Sequence, residues 1–469
     1  MLTVYDRFGS VGRREFLKIG GLGLGGPALG GLSLAQLLAA RSEASSGRRG
    51  VTDKSVIFLF MHGGPSQFET FDPKMGAPDG VRSATGEIDT ALPGITFGSD
   101  FPKLAALAKQ MSIVRSYQTG DAKHDIKPVV SDATLKANLG SLYSRVAGPT
   151  HPVTGMPTNA ALFPKAVEPE SQPAQEAFGK FWSTGAVGAA YAPFMPGGSG
   201  QLQSDMQLTL PRERLDNRRE LLAHLDRIKR SLDTSGTFEG IDKFKEQAFD
   251  TILGGVASAF DLSKEDPRVV ARYDTSQLLR PEAINKKLNN HKYYVDHGRT
   301  LGKLLLMARR LCEAGCGFVT VTTNFVWDNH ADVNNAGVVE GMKYCGLPFD
   351  HAVSAFIEDV RERGLSDKIL LVCSGEMGRT PKINKNGGRD HWGNLAPLML
   401  SGGGLPMGKV IGQSTRDGGE PLTERVTINN LLSTVMHTLL DPTVVRLMTG
   451  VPNDIGRIIT DGEPIVGLS

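Results

Sequence analysis

Four cysteines in 469 residues, none spaced as Cys-x-x-Cys, rule against a cysteine zinc site. The chain also lacks an excess of either charge. Its 52 Lys and Arg against 50 Asp and Glu leave a formal net charge of +2, which provides no field for gathering nucleic acid. Coiled-coil heptads and short internal repeats are missing, which excludes coiled coils and solenoids. A firm apolar run long enough to span a membrane is missing too. The one mildly apolar stretch, Ile19 to Ala40, is interrupted by Gly20, Gly21, Gly23, Gly25, Gly26, Gly30 and Gly31, and glycine disfavours a firm helix. What remains is ordinary globular composition, 40% hydrophobic and 22% charged, with 56 glycines that imply many tight turns. The length suits one large α/β domain or two medium ones.

Ahead of the apolar stretch stands Gly12-Arg13-Arg14-Glu15-Phe16-Leu17-Lys18. This resembles a twin-arginine export signal, with Gly12 where Ser or Thr is usual. Residues 1–44 are therefore read as the signal, with cleavage among the small residues between Ala39 and Ser46. The alternative is a disordered arm. Export by that route carries folded, often cofactor-loaded proteins and implies a periplasmic or secreted location, with the export machinery as a partner. It also permits disulfides. Yet Cys312 falls on the apolar stripe of a helix and Cys373 ends a buried-looking strand, so Cys312, Cys316, Cys345 and Cys373 are expected to be free and buried.

Residues 45–469 read as an α/β domain. Ser55-Val56-Ile57-Phe58-Leu59-Phe60 is a continuous apolar run, as in a central strand covered on both faces. Ser112-Ile113-Val114-Arg115, Gly317 to Thr322, Ile369 to Cys373 and Pro397 to Leu400 are further strands. Phe101 to Gln110 is helical. Between Gly120 and Gly200, Pro, Gly and Ser recur, which reads as excursions around a rim. Helices are expected at Arg212 to Leu232 and Glu239 to Phe260, within a helical insert over about 207–300. More follow at Lys292 to Ala314, Asp350 to Arg363 and Thr427 to Leu440. Strand, helix, strand over 317–373 is a parallel crossover.

Acidic and imidazole groups follow these strands. Open α/β sheets bind ligands at the carboxyl ends of their strands. Asp328 and His330 follow one strand, and carboxylate with imidazole suits zinc, manganese or iron. Glu376 follows another, with Gly375 and Gly378 to turn the chain. Arg379 then becomes a candidate anion clamp, because guanidinium forks onto phosphate or sulfate. Asp390 and His391 sit in a Gly-rich loop, one as ligand and one as its partner. His62, after the first strand, and Asp72, in Phe71-Asp72-Pro73, are candidates for the N-terminal ligand. His124, beside Lys123 and Asp125, is a further candidate with a catalytic part. Each has a plainer alternative: an Asx loop for Asp328 and His330, an ion pair of Glu376 with Arg379, and polar or Asp-Pro turns for the others. Trp327 and Trp392 flank two clusters, either as walls of a site or as core packing.

The wording of these segments is similar to a known family. The run from Asp350 to Ile369 looks like the helix, Gly-Leu turn and strand that deliver metal ligands in the alkaline-phosphatase-like superfamily, in its sulfatase-like branch. Ser374-Gly375-Glu376-Met377-Gly378-Arg379-Thr380-Pro381 and Gly388-Arg389-Asp390-His391-Trp392 resemble a narrower secreted group, the domain-of-unknown-function family numbered fifteen-oh-one. So do His62-Gly63-Gly64-Pro65-Ser66, Thr70-Phe71-Asp72-Pro73-Lys74 and the run Ala308 to Gly315. The resemblance implies a three-layer α/β/α sandwich with a mostly parallel central sheet. It also implies a divalent metal (zinc, manganese or calcium) at Asp328, His330, Glu376 and His391, completed by His62 or Asp72. It further implies hydrolysis of sulfate or phosphate esters. The expected substrate is an anionic ester, a sulfated or phosphorylated carbohydrate among the candidates. The sequence departs from the superfamily in two ways. It has no Cys-x-Pro-Ser-Arg, and Gly375-Glu376 replaces the usual Asp-His. No hydroxyl stands in a supported nucleophile position, with Thr119 and Ser66 as guesses. A non-catalytic exported relative that binds a metal or anion is therefore the competing expectation.

Overall fold

A computed structural model describes residues 4–6, 9–11, 50–196 and 256–468. Met1–Arg49 and Gly50–Ser469 are separate compact units. In the first, Val4–Asp6 pairs antiparallel with Gly9–Val11. The rest of the expected signal lies outside the described residues. So do residues 207–255 of the expected insert, with its helix at Arg212 to Leu232 and most of that at Glu239 to Phe260.

The larger unit is built on a seven-stranded sheet. Its strands are β1 (Ser55–Phe60), β2 (Ser112–Val114), β3 (Asn159–Leu162), β4 (Phe318–Val321), β5 (Ile369–Ser374), β8 (Leu398–Gly402) and β9 (Val410–Ile411). Between β5 and β8 a separate hairpin is formed by β6 (Gly378–Ile383) and β7 (Arg389–Trp392). The sheet order is β9-β2-β8-β5-β1-β4-β3. Every pairing is parallel except those of β8, which is antiparallel to β5 and β2. The reversal follows from the connection. No helix separates β5 from β8, and a crossover is what a parallel neighbour requires.

β1 is central because nothing in it needs water. Val56, Phe58 and Phe60 face one core with Leu139, Leu142, Leu431, Val435, Ile455 and Ile459. These come from α1 (Leu139–Ala147), α4 (Ile428–Leu439) and α5 (Asn453–Thr460). Ile57 and Leu59 face the other core with Leu301, Leu304, Val353 and Phe356. Those come from α2 (His291–Glu313) and α3 (Val338–Glu362). The period of two in a strand thus divides one apolar run between two helical layers. The result is the expected three-layer α/β/α sandwich. α2 agrees with its apolar stripe and ends before Gly315, which takes φ +106. α3 starts well before the expected Asp350 and carries Gly341, Gly346 and Pro348 inside it, with Met342, Cys345 and Phe349 buried against the core.

β1, β4 and β5 run parallel, so the segments that follow them emerge on one edge. The four cysteines are free and buried, as their apolar contexts require. Native protein should therefore resist a thiol reagent, and unfolded, unreduced protein should titrate four thiols. Fewer than four would reveal a disulfide and overturn this assignment.

Candidate metal centre

The segments that follow these strands meet around one cluster. The turn after β1 packs against the loop after β4. Gly63 takes φ +117, and a Cβ there would lie 2.5 Å from the Asp328 amide nitrogen. Only glycine allows that approach. The His62 carbonyl accepts from the Val326 and Trp327 amides at 3.1 and 3.0 Å, which fixes the loop that presents Asp328 and His330. On β7 the alternation of a strand sends Arg389 and His391 inward and leaves Asp390 63% exposed in its side chain. The last contributor, His124, comes from the loop beyond β2. Lys127 ties this loop together by bridging Asp121 and Asp125. The Thr119 and Gly120 amides anchor it to the Gly393 carbonyl at 3.2 and 3.0 Å.

His124, Asp328, His330 and His391 bring one ligand atom each to within 4.8 Å of one another. The Nε2 atoms of His330, His391 and His124 lie 3.0, 3.4 and 3.6 Å from Asp328 Oδ1. Two of the rings have a hydrogen-bond acceptor behind them. His124 Nδ1 donates to Glu376 Oε1 at 3.1 Å, and His391 Nδ1 to the Ala122 carbonyl at 3.1 Å. His330 Nδ1 lies 3.5 Å from Asp390 Oδ1. Glu376 and the Ala122 carbonyl hold protons on Nδ1 of His124 and His391, which leaves the Nε2 atoms of those two rings for an ion, the arrangement typical of metal-bound histidine. His330 and His391 then bring two Nε2 atoms into direct contact, which only a shared proton or a cation reconciles. Three imidazoles and one carboxylate fit zinc, manganese or iron. Calcium, also among the expected ions, usually takes six to eight oxygens, which this donor set does not supply.

The electrostatics are set by Asp328. Burial opposes its ionisation, but Arg379 and the three imidazoles hold its carboxyl well below the usual carboxylate range. Burial also lowers the His391 pKa, aided by Arg379 and His124. At His124 burial is outweighed by Asp328 and Glu376, and the pKa is raised.

Several expected roles change. Arg379 is fully buried and donates to Gly64 O at 2.7 Å, Arg389 O at 3.2 Å, Gly63 O and Asp328 Oδ1 at 2.6 Å. It has no open fork for an anion, and its ionic partner is Asp328 rather than Glu376. Glu376 stands behind His124 instead of in the cluster. It also accepts from the Gly63 amide at 2.9 Å, while its Oε2 is buried without a partner. His124, expected to take a catalytic part, offers a ligand atom. His391 and Asp390 lie on a strand rather than in a loop. Asp72 is elsewhere, bound to Lys74 at 3.3 Å, Arg115 at 3.5 Å and Ser414. His62 is not in the cluster either. It is enclosed by Phe60, Phe178, Phe181 and Phe325, neither ring nitrogen has a partner, and burial lowers its pKa to about 4. Trp327 packs edge-on against Phe349, and Trp392 donates to Gly419 O at 2.6 Å. Ser66 is committed to Glu69, which forms a fully buried pair with Arg389 at 3.0 Å. Lys127 and Asn335, which brace the cluster, went unread in the sequence. The only signal for Asn335 was its place in the polar run after His330.

Residues 53–461 match the family model described as "Protein of unknown function (DUF1501)". The chain belongs to the DUF1501 family. No curated protein matches this DUF1501 chain. Among solved structures it is similar to the PsFucS1 sulfatase from Pseudoalteromonas sp., at 10% identity over 91% of this chain and 75% of that one, with a TM-score of 0.39. It is also similar to the phosphonate monoester hydrolase SpPMH from Silicibacter pomeroyi, at 11% identity over 88% and 76%, with a TM-score of 0.35. A third is the lipoteichoic acid synthase LtaP from Listeria monocytogenes, at 8% identity over 90% and 82%, with a TM-score of 0.30. At these values the likenesses say nothing about the reaction of the DUF1501 protein.

The purified DUF1501 protein should bind about one divalent ion per chain, with affinity lowered steeply by H124A, H330A or H391A. Glu376→Gln should weaken binding about 10–100-fold by releasing His124. Chelator competition followed by elemental analysis measures this. Wild-type affinity in E376Q, or a loss in D72N equal to that in H330A, would refute the assignment. Arg379→Ala should instead cost stability, about 3–5 kcal/mol, by leaving the Asp328 charge buried without its partner. An unchanged denaturation midpoint would contradict that.

Proposed function

We propose that this chain is an exported, metal-dependent hydrolase of sulfate or phosphate esters. The observation that carries the proposal is the convergence of His124, His330, His391 and Asp328, with a hydrogen-bond acceptor behind the His124 and His391 rings. The donor set favours zinc or manganese. A bound divalent ion would supply Lewis acidity toward an ester oxygen and positive charge for an anionic group. The protein's own residues prepare the place. Asp328 and Arg379 form a buried pair at 2.6 Å, so the guanidinium charge is already neutralised and does not compete for substrate. The His330 and His391 side chains are 21% and 26% exposed, which leaves that side of the cluster open to an ester. Phe178 and Phe325 stack at 4.8 Å and both pack on His124, which covers that ring. The expected substrate class is a sulfated or phosphorylated carbohydrate or a related anionic ester. Export is supported by Gly12-Arg13-Arg14-Glu15-Phe16-Leu17-Lys18. No helix among the described residues is long and apolar enough to cross a membrane.

One observation favours a second reading, a binding protein without hydrolysis. Ser66, one of the two hydroxyls considered as a nucleophile, is held by Glu69. A hydrolase here would take its nucleophile from water. Zinc- or manganese-loaded protein should therefore turn over at least one class among aryl sulfates, phosphomonoesters and phosphodiesters, and H330A should abolish it. Metal-loaded protein that binds sulfate or phosphate but turns over none of the three would establish the second reading.

A further inference from the structure

We propose that Asn335 sets the metal preference of the centre by leaving Asp328 only one oxygen to offer. The inference rests on the cluster being a metal site. Asn335 Nδ2 donates to Asp328 Oδ2 at 2.9 Å, and both residues are buried. The other oxygen, Oδ1, is the one that faces the three Nε2 atoms and Arg379. The two oxygens are thus assigned different tasks by their neighbours.

Asn335 is itself held on every side. Its Oδ1 accepts from Asn290 Nδ2 at 2.8 Å. Its backbone amide donates to Asp332 Oδ1 at 2.7 Å, and its carbonyl accepts from the Asp332 amide at 3.1 Å. The Asn290 contact decides which way the amide points. Reversing it would set the amide oxygen against an ionised carboxylate and the NH2 against another NH2. An amide relay therefore runs from Asn290, just ahead of α2, through Asn335 to Asp328.

The consequence concerns the number of donors. Three nitrogens and one oxygen make a four-donor set, which matches tetrahedral zinc. Manganese is better served by more oxygen donors. A carboxylate released from Asn335 would be free to use both oxygens, which raises the donor count and favours manganese over zinc. A residue with a merely structural part would weaken both metals alike.

Apparent Kd values for zinc and for manganese, measured by chelator competition on wild type, N335A, N335S and N290A, test this. Asn335→Ala and Asn335→Ser should weaken zinc about 10–100-fold. Manganese should change little, so the zinc-to-manganese preference should fall about tenfold or more. Asn290→Ala, which leaves Asp328 its own contact, should shift the ratio in the same direction by a smaller factor and keeps the test open where an Asn335 variant folds poorly. Binding by the wild type with an unchanged ratio in the variants would overturn the part given to Asn335 and leave the metal site standing. Failure of the wild type to bind either ion would overturn the reading of the cluster itself.

Discussion

The edge of the sheet is organised around one buried charge, the Asp328 carboxylate. A carboxylate removed from water is costly unless it is paired and hydrogen-bonded. Asp328 is satisfied by Arg379 from β6 and by Asn335 from its own loop, and its Oδ1 also faces the Nε2 atoms of His330, His391 and His124. Arg379 extends the tie, because it also donates to the carbonyls of Gly63 and Gly64 after β1 and of Arg389 on β7. The turn after β1, the loop after β4 and the β6–β7 hairpin are thus closed by one ionic contact. None of them can move alone without exposing an unpaired charge or an unpartnered carbonyl.

Much of the scaffold was legible because it depends on periodicity. The apolar run Ser55 to Phe60 announced a strand covered on both faces, and its alternation divides the two cores. The carboxyl ends of β1, β4 and β5 then had to share an edge once the strands ran parallel. What the sequence did not disclose was depth. Glu376 and His124 both belong near the centre, but Glu376 follows a strand buried throughout and lies beneath the ring of His124. Linear order carries no sign of which of the two is nearer the cavity. Arg379 was misread for the same reason: a guanidinium beside a glycine turn looks available until its surroundings prove to be carbonyls. Asp72 and His62 followed the first strand as a ligand should, yet Arg115 and Lys74 hold the one and a box of phenylalanines the other. Helix α3 was cut short because Gly341, Gly346 and Pro348 weigh as breakers locally, whereas Met342, Cys345 and Phe349 are buried on its core side.

Beneath the cluster lies a second, quieter polar layer. His62 is buried with both ring nitrogens unpartnered, and Glu376 Oε2 is unpartnered as well. Burial keeps the imidazole neutral, and Glu376 is the strongest charge acting against that. A neutral ring in an aromatic enclosure adds no charge near Asp328, whereas a lysine or arginine there would compete with the imidazoles for it. His62 thus contributes through its backbone, whose carbonyl fixes the Asp328 loop, and through a side chain that fills space without altering the local charge.

The loop that presents His124 is the least self-sufficient part of the centre. It carries exposed Asp121, Ala122 and Lys123 and has little apolar surface to bury. Its order comes from the Lys127 bridge and from two amides on the Gly393 carbonyl. Yet this loop supplies both the His124 ring and the Ala122 carbonyl that fixes His391. An ion held by all four ligands would therefore join this loop to the β7 strand and to the loop after β4 at once. Binding energy spent on that junction appears as stability of the assembled edge. The weak intrinsic packing of the loop would then be offset in part by the ion that His124 helps to hold.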